Sequence, residues 1–160
     1  MLTLDYLKSI LLYHESEGET NGLPFLAEER QFLESAGGFD AITELIQTKG
    51  IPIALVLEHN EIGDFSFRPG GFEKSSQSIW IMKMVGFNED RRTVQLETKT
   101  MMKDILRMFA GHEQDAALRQ WEWDNIPYGT RNAGSNYTGY EFTLHFSEDI
   151  DLSYGAIESR

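Results

Sequence analysis

The residues whose type and spacing first suggest acid–base or metal chemistry are four histidines, one spaced pair of carboxylates and an acid-rich segment near residue 150. An imidazole changes charge near neutral pH and binds metals through a ring nitrogen, so histidine is weighed first. His14, His59, His112 and His145 are far apart, and none has a second histidine at i+2 or i+4. A metal centre would have to be assembled wholly by the fold. "HEQDA" at 112 lacks the second histidine of a HExxH zinc helix, so that reading fails at its defining residue. Each histidine is accordingly read as a surface or packing residue. Glu122 and Asp124 in "WEWDNI" form the carboxylate pair, but two residues apart they share one outward strand face, where solvation is expected rather than glycoside hydrolysis. "DIDLSYGAIE", 149–158, offers Asp149, Asp151 and Ser153 at the first three odd positions of a calcium loop. Tyr154 then stands where glycine is required and Glu158 falls at the tenth place instead of the twelfth. An acidic, solvated strand exit is the stronger reading there, with weak cation binding at 149–158 left open. No nucleophile elbow, phosphate-cradling loop or dinucleotide fingerprint is present; "AGGF" and "RPGGF" read as turns. Zero cysteines exclude disulfides, thiolate nucleophiles and thiolate metal sites. The expectation is no catalytic residue, no cofactor and no metal.

The elements that would position these side chains follow from periodicity. "TLDYLKSILLYHE" carries Leu4, Leu7, Leu11 and Leu12 near helical spacing, with Thr3 as cap. After the polar "SEGETNG", a second helix is expected over "LPFLAEERQFLESAGG", with Phe25, Leu26, Phe32 and Leu33 as its stripe, and a third over "FDAITELIQTKG". From Ile51 the pattern changes. "IPIALVLEH" and "SIWIMKMVGF" are β-rich and apolar on both faces, so they read as buried, paired strands. The long helix lies in "NEDRRTVQLETKTMMKDILRMFAGHEQDAALRQ", with Val94, Met101, Ile105, Met108 and Phe109 along one stripe. "WEWDNI" and "GYEFTLHF" then read as a second hairpin. In the latter, Tyr140, Phe142, Leu144 and Phe146 point to the core, and Glu141, Thr143 and His145 point away. The order predicts an α+β domain: an antiparallel sheet of two hairpins covered by one long helix, behind a helical N-terminal segment. Residues 1–160 are expected to form one domain, with 1–50 helical, 51–152 the α+β core and 153–160 a flexible tail.

The connector "NEIGDFSFRPGGFEKSSQ" is long for a hairpin turn and reads as an extended β-arm carrying Phe65, Phe67, Arg68 and Phe72. Its aromatic rings either fold back on the open sheet face or insert into a neighbouring copy. Those four residues, with Tyr128, Arg131 and Tyr137 from the 128–138 loop, are the expected interface.

The net charge of −12 argues against nonspecific nucleic-acid binding, which needs clustered Lys and Arg. Acidic against basic residues number 9 and 3 over 1–50, 8 and 8 over 51–110, and 9 and 3 over 111–160. There is no run of about 18 apolar residues and the N-terminus lacks a secretory pattern. Membrane insertion is not expected, and synthesis in a cytoplasm is.

The "IPIALVLEH" to "SIWIMKMVGF" hairpin, the helix "VQLETKTMMKDILRMFAG", then "WEWDNIPYG" and the closing "GYEFTLHFSEDIDL" resemble small tail-completion or tail-terminator proteins of tailed bacteriophages. The resemblance spans roughly 51 to 152, and the first 50 residues depart from it as a candidate docking addition. It implies a structural virion protein, made in a host bacterial cytoplasm. Its copies would form a ring, commonly a hexamer, that joins the tail tube to the neck. Tail-tube and head–tail connector proteins would be its partners, and DNA would pass without specific binding. The family has no invariant catalytic residues to carry over. Two alternatives stay open: another head–tail connector or baseplate adaptor, and a small cytosolic enzyme or ligand-binding domain using His145, Glu141 and Glu122 on the open sheet face.

Overall fold

The computed structural model describes residues 2–36, 38–66 and 71–149, with the backbone alone at 38, 39, 60–66, 72, 148 and 149. Thr3 caps the first helix as its type predicts, its Oγ1 accepting the Tyr6 N–H at 3.2 Å. Helix α1 (Leu4–Leu11) buries Leu7, Ile10 and Leu11. It stops short of residue 15 because Leu12 turns extended and bridges Leu23 in parallel. The polar stretch that follows is a hairpin, β1 (His14–Ser16) with β2 (Glu19–Asn21). Glu17 and Gly18 take φ of 52° and 80°, the paired positive values of a tight two-residue hairpin turn.

The second expected helix is absent. In its place are a single 3-10 turn at Glu29–Gln31 and a strand, β3 (Phe32–Ser35), parallel to β4 (Ile53–Ser66). The Gln31 side chain explains the break. Its Nε2 donates to the carbonyls of Phe25 (2.8 Å) and Ile53 (3.0 Å), and its Oε1 accepts the Glu28 N–H (2.9 Å). That places Phe32 and Leu33 against opposite faces of a sheet, one in each of two cores. Two adjacent apolar residues fit a helical stripe and a doubly buried strand equally well, and a long-range ladder decided between them.

Helix α2 (Gly38–Lys49) follows, buries Ile42 and Ile46, and leads to β4. Strand β5 (Phe72–Met84) pairs antiparallel with β4 along its whole length, the register shifting between Glu58 and Ile62. Asp90 caps α3 (Arg91–Gly111), its Oδ2 accepting the Thr93 N–H at 3.1 Å. The buried stripe of α3 is Val94, Thr98, Met102, Ile105 and Phe109; the expected Met101 and Met108 flank it, half-buried.

The final hairpin is β6 (Tyr128–Ala133) with β7 (Tyr137–Asp149). The first expected strand of that hairpin, 121–126, is not one. Trp121 makes a lone bridge to Phe146 and the Glu122 N–H reaches the His145 carbonyl at 2.7 Å. The chain then bows away so that Trp123 packs edge-on against Phe109, and it rejoins β7 where the Thr143 N–H meets the Pro127 carbonyl at 3.0 Å.

The five-stranded sheet runs β3-β4-β5-β7-β6, mixed rather than purely antiparallel. Both faces carry a core. One packs Leu55, Leu57, Ile79, Ile81, Phe142 and Leu144 under α1, α3 and Trp121. The other packs Val56, Trp80, Met82 and Tyr137 against Ile42 and Ile46 of α2. The α+β class stands. Two hairpins under a single long helix with a purely helical front is not the arrangement, because residues 1–50 contribute an edge strand, a small hairpin and the helix that covers the second face.

Candidate functional site

Helix α2 covers the second face only toward Trp80 and Met82. Farther along the strands, that face presents polar side chains, as period-two reading of β7 requires. Glu58 comes from β4, Ser78 from β5, Arg131 from β6, and Glu141, Thr143 and His145 from β7. Arg131 is the organising group. Its Nε donates to Glu141 Oε2 at 2.9 Å, and its guanidinium lies 5.6 Å from the Trp80 ring centroid. The Trp80 indole N–H donates to Glu58 Oε2 at 3.0 Å, which satisfies a carboxylate that is almost fully buried. Ser78 Oγ stands 3.5 Å from Glu141 Oε1 and 3.3 Å from Thr143 Oγ1. A shallow groove of about 220 Å³, lined by Pro127, Tyr128, Gly129, Arg131, Glu141 and Thr143, runs along this wall.

These charges are paired into a wall. They do not converge on a reacting atom. His145 and Glu122 meet through the backbone, and among the described residues no hydrogen bond joins the His145 ring to Glu141 or Glu122. Among the described residues, no three His, Asp or Glu side chains stand close enough together to hold a metal ion.

The expected interface residues separate into three groups. Phe65 and Phe72 lie at the far ends of β4 and β5, opposite Glu73 and Ser66, and Phe72 also faces Asp149 of β7, so the arm is three-stranded there. Phe67 and Arg68 fall outside the described residues, as does nearly all of the 149–158 segment. Tyr128 is 55% exposed on the outer strand, with its ring 5.9 Å from that of Tyr140 and Lys99 Nζ 5.0 Å from its centroid. Arg131 sits in the wall just described. Tyr137 is a correction: it is 2% exposed, because β7 begins there and its parity turns the ring inward beneath α2. It is a core residue, and burial pushes its hydroxyl pKa up.

Sequence reading missed a second polar cluster. Tyr6 of α1 donates its hydroxyl proton to Asp115 Oδ2 at 2.8 Å, and the same oxygen lies 3.2 Å from Nδ1 of His112, the residue that caps the C-terminus of α3. The only local signal was the i,i+3 spacing of His112 and Asp115; Tyr6 is 109 residues away. Burial pushes the Tyr6 hydroxyl above the ordinary value of 10.0, and the hydrogen bond to Asp115 and its negative charge push it further. A raised folded-state pKa means that the stabilisation is whole below pH 10.0 and is lost as the pH climbs toward the raised value. Tyr6→Phe is expected to cost about 1 kcal/mol at neutral pH and to flatten the fall in unfolding free energy above pH 10.0. Urea unfolding at neutral and alkaline pH checks this, and equal alkaline slopes in the two proteins would refute it.

Fold and wall together define an α+β domain with a five-stranded mixed sheet that carries a core on each face. Compared with protein-family models and with curated proteins, the chain finds no match. No helix among the described residues is long and apolar enough to cross a membrane.

Proposed function

We propose that the chain is a structural, non-enzymatic virion subunit of the kind the tail-terminator resemblance implies. Its copies join into a ring that links tail tube to connector, through β6 and the adjoining side of α3. The observation that carries this reading is the outer edge of β6. Tyr128 through Asn132 are all exposed, and among the described residues β6 has a strand neighbour on one side only. An exposed edge is a ready surface for another chain. The large apolar side chains that stay exposed among the described residues lie on this part of the chain: Phe87 just before α3, Leu96 on it and Tyr128 on β6.

Charge supports a head-to-tail contact. Arg91, Arg92 and Lys99 gather around β6: Arg91 Nη1 donates to Asn132 Oδ1 at 2.8 Å, Arg92 reaches the Tyr140 hydroxyl at 3.2 Å, and Lys99 lies over Tyr128. The opposite edge strand, β3, is preceded by Glu28 and Glu29 and carries Glu34; Arg30 is engaged with Glu28, Glu34 Oε2 lies 2.9 Å from His59 Nε2, and the edge has more acidic than basic side chains. Unlike charges at the two ends of one sheet favour a heterologous contact, which makes a ring when the rotation between copies closes, over a two-fold contact that sets like against like.

The test is molar mass by light scattering over a concentration series. The wild-type chain is expected to give a discrete high-mass species that weakens as salt rises, and Tyr128→Glu is expected to return it to monomer with an unchanged circular dichroism spectrum. Monomer at every concentration, with no binding to tail-tube protein, would overturn the proposal.

A further inference from the structure

The β1–β2 hairpin carries three glutamates, Glu15, Glu17 and Glu19, and no lysine or arginine. Both strands and the Glu17–Gly18 turn are exposed, and among the described residues no third strand joins the pair. Glu15 accepts the Tyr13 hydroxyl, but the carboxylates of Glu17 and Glu19 meet no cation among the described residues. Unmatched charge of the other sign stands beside β6. Arg92 donates to Gln95 Oε1 and to the Tyr140 hydroxyl, both at 3.2 Å, and Lys99 Nζ lies 5.0 Å and 5.9 Å from the Tyr128 and Tyr140 ring centroids. Neither cation meets a carboxylate among the described residues. Seven positions apart on α3, they share one side of the helix. The hairpin belongs to the other end of α3, where His14, Thr20 and Asn21 line a hollow with Met108 and His112. Lys99 and His112 are about 20 Å apart along the helix axis, so the hairpin does not reach the cations of its own chain.

We infer that the β1–β2 hairpin is the element that one copy seats on β6 and α3 of the next, setting Glu17 and Glu19 against Arg92 and Lys99. This deepens the ring proposal and rests on it. Exposed ion pairs are individually weak, so charge selects the partner and the exposed edges supply the rest of the contact: a hairpin strand and β6 each present an open row of main-chain donors and acceptors. Charge also sets the direction. A two-fold contact through β6 would bring cations against cations, and one through the hairpins would bring carboxylates against carboxylates. Only hairpin to β6 matches unlike signs, and it leaves each copy with one hairpin and one β6 edge for two different neighbours.

The experiment is charge reversal followed by mixing, read by light scattering on full-length chains whose circular dichroism matches wild type. One variant carries Glu17→Lys with Glu19→Lys, the other Arg92→Glu with Lys99→Glu. Each alone is expected to need at least about a tenfold higher concentration to assemble, because like charges then face each other. An equimolar mixture is expected to recover the high-mass species with the two chains in equal numbers, since the reversed hairpin of one fits the reversed patch of the other. Glu17→Gln with Glu19→Gln, which removes charge without reversing it, should weaken assembly and reduce its salt dependence. Assembly that is indifferent to the hairpin variants, or reversed variants that do not combine, would overturn the inference and leave the ring proposal standing. A wild-type chain that is monomeric at every concentration overturns both.

Discussion

Replacing Gly139 with alanine is expected to lower the unfolding free energy by about 3 kcal/mol or more, seen as a lower urea midpoint at unchanged slope. Gly139 lies in β7 between two neighbours, opposite Met82 of β5 and Arg131 of β6. A Cβ built there would stand 1.9 Å from the Ile81 carbonyl oxygen and 3.0 Å from the Met82 Cα. Those are backbone atoms of a central strand whose side chains are fully buried, Ile81 in one core and Met82 in the other, so nothing nearby can swing aside. The requirement is close approach of two backbones. Gly129 supplies the control: it pairs with Glu141 on the outer strand, and a Cβ there would meet nothing within 4 Å. Gly129→Ala is expected within about 0.5 kcal/mol of wild type. Equal midpoints for the two variants would show that β5 and β7 are not packed as described.

Phe109→Ala is the second large effect, expected to cost about 3–5 kcal/mol by chemical denaturation. Phe109 is fully buried in the last turns of α3, with its ring centroid 6.4 Å from those of both Trp123 and Phe142. It joins the long helix, the 112–127 segment and the sheet, so its removal opens a cavity on which three elements depend and also removes two edge or tilted ring contacts. Phe87→Ala deletes the same ring from a fully exposed position and should change stability by less than about 0.5 kcal/mol. A loss at Phe109 no larger than at Phe87 would mean that α3 does not seat on this face.

The contrast between these phenylalanines also bears on what could be read without a structure. Tyr140, Phe142, Leu144 and Phe146 alternate with Glu141, Thr143 and His145, and that alternation alone predicted which face is buried. The β4–β5 pair was legible because "IPIALVLEH" and "SIWIMKMVGF" are apolar on both sides, the mark of a strand covered on both faces. Phe32 and Leu33 were not legible. Adjacent apolar residues serve a helix stripe or a strand between two cores, and only the position of β4, some twenty residues on, distinguishes the two. Tyr137 was not legible for a related reason: glycine-rich turn chemistry extends through 138, whereas β7 already begins at Tyr137.

The candidate sites divide along the same line. Arg131 and Glu141 are ten residues apart, and their contact is fixed by the register of one hairpin, in which Gly129 and not Arg131 stands directly opposite Glu141. The Tyr6–Asp115–His112 cluster joins residues about a hundred positions apart. No local pattern encodes such meetings.

By itself, then, the sequence determined the Thr3 cap of α1, the inward stripe of α3, the paired strands β4 and β5, the alternation along β7, the freedom from thiol chemistry and the excess of acidic residues, since each depends on residue type and short-range period. Only the tertiary structure decided which edge β3 joins, that both sheet faces carry a core, which edge stays open among the described residues, and that Tyr6 meets Asp115. These are contacts across long stretches of chain, set by which buried surfaces fit together rather than by any spacing along it.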